Sequence, residues 1–178
     1  MIDSIQPLLD EVKKIQDEQL RECTQEVIEA APINSFKLPS SRDHHLKDEC
    51  GQWGNLIHTL RVVSICDTLA DVLMPEQYQK DELKSAAILH DICKHGVNAE
   101  AVFIYREHPQ LVRQLVSKAR IVANEDVLSA IEQHMGRWGV AKCDWSDGKI
   151  TLAFLLHAAD CIEARADQML AIGSDDNG

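Results

Sequence analysis

Apolar residues recur along this chain at helical spacing, and no segment alternates strictly over the length of a strand. From about Ser4 to Ala30, Ile5, Leu8, Leu9, Val12, Ile15, Leu20, Val27 and Ile28 fall mostly on one stripe, which predicts a single N-terminal helix. Pro7 fits its first turn, where a backbone N–H has no partner to lose. Residues Ala31 to Gly51 hold Pro32, Pro39 and the pair His44-His45, and read as a loop. A second helix is predicted over about Trp53–Leu73, stopped at Pro75. A third runs from an N-cap at Asp81 to about Cys93 and ends near Gly96. Pro109, after Glu107-His108, marks another start, with the helix continuing to about Ile121. Asn124 is placed to cap a helix ending near Met135, and Gly136–Gly148 reads as loop. The last helix covers about Lys149–Ile172, before a polar tail over 173–178 that is expected to be disordered. With no repeat and no linker between two cores, the pattern predicts one all-α domain over residues 1–178, a bundle of about six or seven helices.

Composition narrows the function classes. A chain of 178 residues can bury a core without disulfides or a structural metal, and 45% hydrophobic with 26% charged residues is globular usage. Lys plus Arg is 18 against 29 for Asp plus Glu, a net charge of −11. That balance disfavours binding along a long nucleic acid, where Lys and Arg must replace counterions. A small phosphorylated ligand remains compatible, because a bound divalent cation can supply the positive charge. No apolar run approaches the ~18–20 residues of a membrane span, and the N-terminus lacks the layout of a secretory signal. The six cysteines form no C-x-x-C pair. A soluble, cytoplasmic chain with reduced thiols and no membrane partner is expected.

The chemistry concentrates in apolar helices. His90-Asp91 stands inside Ala86-Ala87-Ile88-Leu89-His90-Asp91-Ile92-Cys93-Lys94. Burying an ionisable pair in such company is costly unless its charge is compensated. A metal ion would do so, since imidazole and carboxylate are both ligands; a buried His–Asp hydrogen bond is the competing reading. His58, in Leu56-Ile57-His58-Thr59-Leu60, and Asp160, in Leu155-Leu156-His157-Ala158-Ala159-Asp160-Cys161, emerge from similarly apolar runs. Three helices thus each bring ligand-type residues, the way bundles assemble metal sites.

The order His58, His90-Asp91, Asp160 resembles the HD superfamily of metal-dependent phosphohydrolases over about Asn55–Ala164, some 60% of the chain. The resemblance implies an HD-type fold with a metal-binding core over about 54–164. Two further segments, Glu107-His108-Pro109 and His134-Met135-Gly136-Arg137-Trp138, resemble the bimetallic subgroup that includes the HD-GYP phosphodiesterases. By that resemblance Asp91 bridges two divalent transition-metal ions, of Mn, Fe, Co, Ni or Zn type. His58, His90 and Asp160 complete one site, and His108 and His134 the other. With a single metal, His108 would be a helix cap and His134 a charge near a helix C-terminus. The chain departs from the HD-GYP pattern, with Met135 in place of a second histidine and no Gly-Tyr-Pro.

Lys94 completes His90-Asp91-Ile92-Cys93-Lys94, similar to the His-Asp-x-x-Lys of many HD hydrolases. One helical turn past the ligand pair, it can offset charge on a phosphate, or merely complement the helix end. Arg61, three residues after His58, is a candidate phosphate contact or the partner of an acid. His44 and His45 resemble the Tyr-His or His-His of small HD hydrolases, which makes His45 a candidate substrate contact beside the reading as a solvated loop. His157, three residues before Asp160, is a core histidine or a support for the ligand. Trp53, Trp138 and Trp145 read as core or as base-stacking surfaces, and Cys93 and Cys161 as packing. The implied activity is hydrolysis of a phosphoester, in a small nucleotide, with Asp91 and Lys94 as catalytic groups. The same ordered ligands resemble the mixed-valent di-iron oxygenases of the superfamily, and a catalytically silent nucleotide-binding module is a third reading.

Overall fold

The computed structural model describes residues 3–41, 46–74, 76–100, 102–119, 121–141, 145 and 148–164. These form eight α-helices and one 3-10 turn, with no strand among the described residues. The single N-terminal helix expected over Ser4–Ala30 is instead two, α1 (Gln6–Val12) and α2 (Glu18–Ala30). The apolar stripe runs through the break because Ile15, inside it, is buried. Asp17 starts α2 as its N-cap, accepting from the Leu20 N–H at 2.7 Å.

Asp81 is not the cap of its own helix. It lies in the second turn of α5 (Gln77–Leu89), which starts earlier than expected. Its Oδ2 accepts from the N–H groups of Gln16, at 3.0 Å, and Asp17, at 2.8 Å, satisfying two donors that the break leaves without helical partners. A short α3 (Asn34–Lys37) also forms within the expected loop and sends Phe36 into the core. The divided N-terminal helix and α3 bring the count among the described residues to eight, above the six or seven expected.

The long apolar run makes α4 (Gly54–Leu73), close to its expected bounds. It packs on α5 and α8 (Leu152–Ala164), and α5 in turn meets α2 and α7 (Glu125–Gln133). Leu56, Val62, Val63, Leu83, Ile88, Leu155 and Leu156 are at most 1% exposed in this core. Each such burial contributes about 1.5–3 kcal/mol. As expected, α6 (His108–Ala119) carries Pro109 in its first turn, and Asn124 caps α7, accepting from Asp126 N–H at 2.8 Å and Val127 N–H at 3.1 Å. Gly136–Trp138 is the 3-10 turn. The last helix begins at Leu152 rather than Lys149, with Thr151 Oγ1 accepting from Phe154 N–H at 3.1 Å. Its expected continuation to Ile172 and the polar tail lie outside the described residues.

The chain enters α4 by an unusual crossing. A Cβ on Gly54 would stand 1.9 Å from the Glu49 carbonyl oxygen, so the preceding strap passes where only a hydrogen fits. Trp53 adopts the left-handed conformation at φ 66°, with its N–H donated to the Lys37 carbonyl at 2.7 Å. The crossing brings Glu49 beside the second turn of α4. Among the described residues no helix is long and apolar enough to cross a membrane. Cys23, Cys66 and Cys93 are free thiols.

Candidate metal centre

Five elements deliver the expected ligand-type residues to one buried point. His58 lies in the second turn of α4; His90 caps the C-terminus of α5, and Asp91 follows it. His108 opens α6, His134 caps the C-terminus of α7, and Asp160 sits on α8. His58, His90, Asp91, His108 and His134 are all at most 2% exposed.

Hydrogen bonding behind the rings decides which nitrogen faces inward. The Nδ1–H of His90 is donated to the Ala87 carbonyl at 2.8 Å, and that of His134 to Ile131 at 2.7 Å. His108 Nδ1 meets the carbonyls of Ile104 and Tyr105, both at 2.9 Å. His58 Nδ1 faces the Glu163 carboxylate at 2.6 Å. With every Nδ1 so engaged, the Nε2 atoms turn toward the interior, as second-layer bonds arrange them in metal sites.

There they meet the carboxylates. His58 Nε2 lies 3.4 Å from Asp91 Oδ2, 3.2 Å from Asp160 Oδ1 and 3.3 Å from His90 Nε2. On the other side of Asp91, Oδ1 stands 3.0 Å from His108 Nε2 and 3.8 Å from His134 Nε2. The cluster therefore divides into two groups, His58/His90/Asp91 and Asp91/His108/His134, each with its ligand atoms within 4.8 Å of one another. Asp91 is common to both. The buried Nε2 atoms of His108 and His134 have no hydrogen-bond partner. Orphaned imidazole nitrogens facing a shared carboxylate fit divalent transition-metal ions, which would complete both coordination and charge.

The electrostatics agree. Burial alone would favour the neutral acid at Asp91, but Lys94 and His90 beside it hold its carboxyl well below the usual range. Asp160 is likewise held low against burial by His58. Burial depresses His90, and depresses His134 to about 3 with help from His90 and His108. His58 goes the other way: Asp160, Asp91, Glu163 and Glu49 outweigh burial and raise it well above an ordinary imidazole.

A cavity of about 510 Å³ reaches this cluster. Asp91, Lys94, His108 and Asp160 contribute to its wall, as do Tyr105, Met135 and Trp138. Lys94 Nζ lies 2.5 Å from Asp91 Oδ2 and donates to Ser40 Oγ at 3.1 Å, where Ser40 also lines the cavity. His157 reaches the same wall; its Nδ1–H is donated to the His134 carbonyl at 2.6 Å, and its ring lies between Trp138 and Trp145. A Cβ on Gly136, at φ +54°, would stand 2.8 Å from that ring, so glycine lets His157 lie under the turn that follows His134.

Arg61 is turned elsewhere. Its guanidinium pairs with Asp48, at 2.7 Å and 3.0 Å, and with Glu49, which together raise its pKa further. His44 and His45 lie outside the described residues. Cys93 is buried, and burial pushes its thiol up to about 12; Cys161 is half-buried, 3.6 Å from His157 Nε2.

Several residues here were not singled out by the sequence. Glu49 and Glu163 flank His58, and Asn55 donates to the carbonyls of Ser35 and Asp91, at 2.7 Å and 3.1 Å. His95 holds the Pro39 carbonyl at 2.8 Å and so fixes the strap carrying Ser40. Glu163 carried a usable signal, three residues beyond Asp160 on the same helical face. Glu49, in a polar loop, carried none.

A family model described as HD domain matches residues 55–165, more than half of the chain. No curated protein and no solved structure matches the chain.

Proposed function

The chain belongs to the HD domain family, and from that premise we propose that it is a divalent-metal-dependent phosphohydrolase acting on a small phosphoester, with a nucleotide as the favoured substrate class. One observation carries the reading: four imidazoles and two aspartates converge beside a cavity whose wall also holds a lysine. His58, His90, Asp91 and Asp160 would hold one ion, and Asp91, His108 and His134 the other. Divalent ions held there supply Lewis-acid charge for phosphoryl oxygens and acidify water at neutral pH.

The chain's own groups complete the chemistry. Lys94, anchored to Asp91 and Ser40, presents a fixed ammonium to the cavity. It would take up charge on a phosphoryl oxygen as the ester bond breaks. The Ser40 hydroxyl accepts from Lys94, which leaves its own hydrogen to donate to a phosphate oxygen. Tyr105, Met135 and Trp138 give the wall flat and apolar surface on which a base can stack. The net charge of −11 favours a compact nucleotide over a long strand.

The test is phosphate release from a panel of nucleotides and from bis-p-nitrophenyl phosphate, with the protein loaded with Mn²⁺ or Co²⁺ and bound metal measured. Metal-dependent release supports the reading. Full metal occupancy without release from any ester would overturn it. Iron retained on purification, with an EPR signal on partial reduction and no ester hydrolysis, would favour the di-iron oxygenase instead.

A further inference from the structure

Three of the four imidazoles around Asp91 rest on main-chain carbonyls. His58 alone among them rests on side chains. Its Nδ1 lies 2.6 Å from Glu163 Oε2 and 3.5 Å from Glu49 Oε2, and both glutamates are at most 2% exposed. Two buried carboxylates around one ring would repel each other unless a cation is shared between them. Arg61 supplies such charge to both. It contacts Glu49, reaches Glu163 Oε1 at 3.9 Å, and is itself oriented by Asp48. Glu49, His58 and Glu163 also satisfy the spacing of a metal-ligand group, but here the guanidinium already occupies the role of the positive charge. Neither glutamate lines the cavity, so neither is placed to meet a substrate.

A carboxylate behind an imidazole differs from a carbonyl in kind. Charge-assisted hydrogen bonds are roughly twice as strong as neutral ones, and a carboxylate behind a ligating histidine fixes its ring and raises its basicity. Resting on the metal-centre reading above, we infer that Glu163, steadied by Arg61 and Glu49, is a positioning residue for His58 that makes the two metal positions unequal. The position of His58, His90 and Asp160 has the stronger donor and a carboxylate of its own beside the shared Asp91. That of His108 and His134 has neutral donors backed by neutral carbonyls. The first therefore fills at lower metal concentration.

Co²⁺ titration of the metal-stripped full chain against a competing chelator, followed by visible absorption, tests this. Wild type takes up Co²⁺ in two separated steps. Glu163→Ala weakens the tighter step by about 10–100-fold and leaves the weaker step in place. Glu163→Gln, which keeps an acceptor oxygen and the side-chain volume but loses the charge, falls between them. Tight steps in both variants equal to wild type overturn the inference, as does an equal weakening of both steps, which marks general loosening. Should Glu163→Ala fail to fold, Glu163→Gln decides alone, an unchanged tight step being the negative result. Wild type that binds no Co²⁺ at all is a separate failure, of the metal-centre reading, and takes the inference with it.

Discussion

His108 Nε2 and Asp91 Oδ1 stand 3.0 Å apart with no hydrogen bond between them. The ring donates its Nδ1–H to the carbonyls of Ile104 and Tyr105, so in its neutral form it turns a lone pair onto a carboxylate. At a buried site that contact is unfavourable unless a cation lies at it. His134 repeats the arrangement at 3.8 Å. His108→Ala or His134→Ala should therefore lower bound Mn²⁺ or Co²⁺ from two equivalents toward one, with helical content unchanged. Metal analysis beside circular dichroism reads both. A single equivalent in wild type, indifferent to either change, would make the centre mononuclear.

Asp91 belongs to both ligand groups. Asp91→Ala should remove most bound metal and abolish ester hydrolysis together. Retention of full metal content and rate would disprove the arrangement of ligands proposed here.

Lys94→Ala separates a catalytic charge from a structural one. If the ammonium takes up charge as the ester breaks, kcat should fall ~10²–10³-fold with metal content unchanged. A lysine that serves only the helix end would cost at most about 1 kcal/mol of stability and leave the rate nearly alone. Steady-state kinetics on the loaded variant, beside a thermal melt, distinguishes them.

Burial holds His134 at about 3 in the folded, metal-free chain, against 6.5 for an ordinary imidazole. The fold favours the neutral ring, and the unfolded chain takes up the proton first as pH falls. This contribution to stability is therefore complete above pH ~6.5 and is lost on going down toward pH ~3, at up to about 1.4 kcal/mol per pH unit. Urea unfolding of the metal-stripped protein between pH 7 and 4 should show a shallower pH dependence for His134→Ala than for wild type. Parallel curves would mean that the ring is not held neutral.

Gly54→Ala drives a methyl group into the Glu49 carbonyl oxygen, whereas a Cβ on Gly51 meets nothing within 4 Å. The first should cost about 1–3 kcal/mol or more, since backbone must move to relieve it. The second should stay within about 0.5 kcal/mol. Denaturant midpoints of the pair measure the difference, and equal midpoints would remove the crossing as a structural constraint.

Much of this fold was legible because burial leaves a periodic trace. The run that makes α4 is apolar on more than one face, as a central helix must be, and Asn124 is followed by the acidic turn and apolar stripe of α7. The break between α1 and α2 was hidden by Ile15, whose side chain stays in register with the stripe while its backbone leaves the helix. What marks the break is Asp81, distant in sequence, and no local pattern announces that partnership. His58, His90, Asp91 and Asp160 were legible because ionisable residues in apolar helices need a reason to be there, whereas His108 and His134 were reached only through the family resemblance. Arg61 was visible as a charge near His58, but its direction is set by Asp48 and Glu49 in a loop without periodicity.

Helices α5 and α7 both run out at the cluster, with His90 and His134 as their C-caps. Their last carbonyls bear partial negative charge, which adds to that of Asp91 and Asp160. Lys94, already drawn to Asp91, and His58, raised well above an ordinary imidazole by its acid neighbours, oppose this field. Ions held at the centre would add positive charge beyond these two groups, which is what an anionic ester needs there. On the proposed metal-dependent reading, a chelator should lower substrate affinity as well as turnover, so that the ions would serve the binding of an anionic ester before they serve its cleavage.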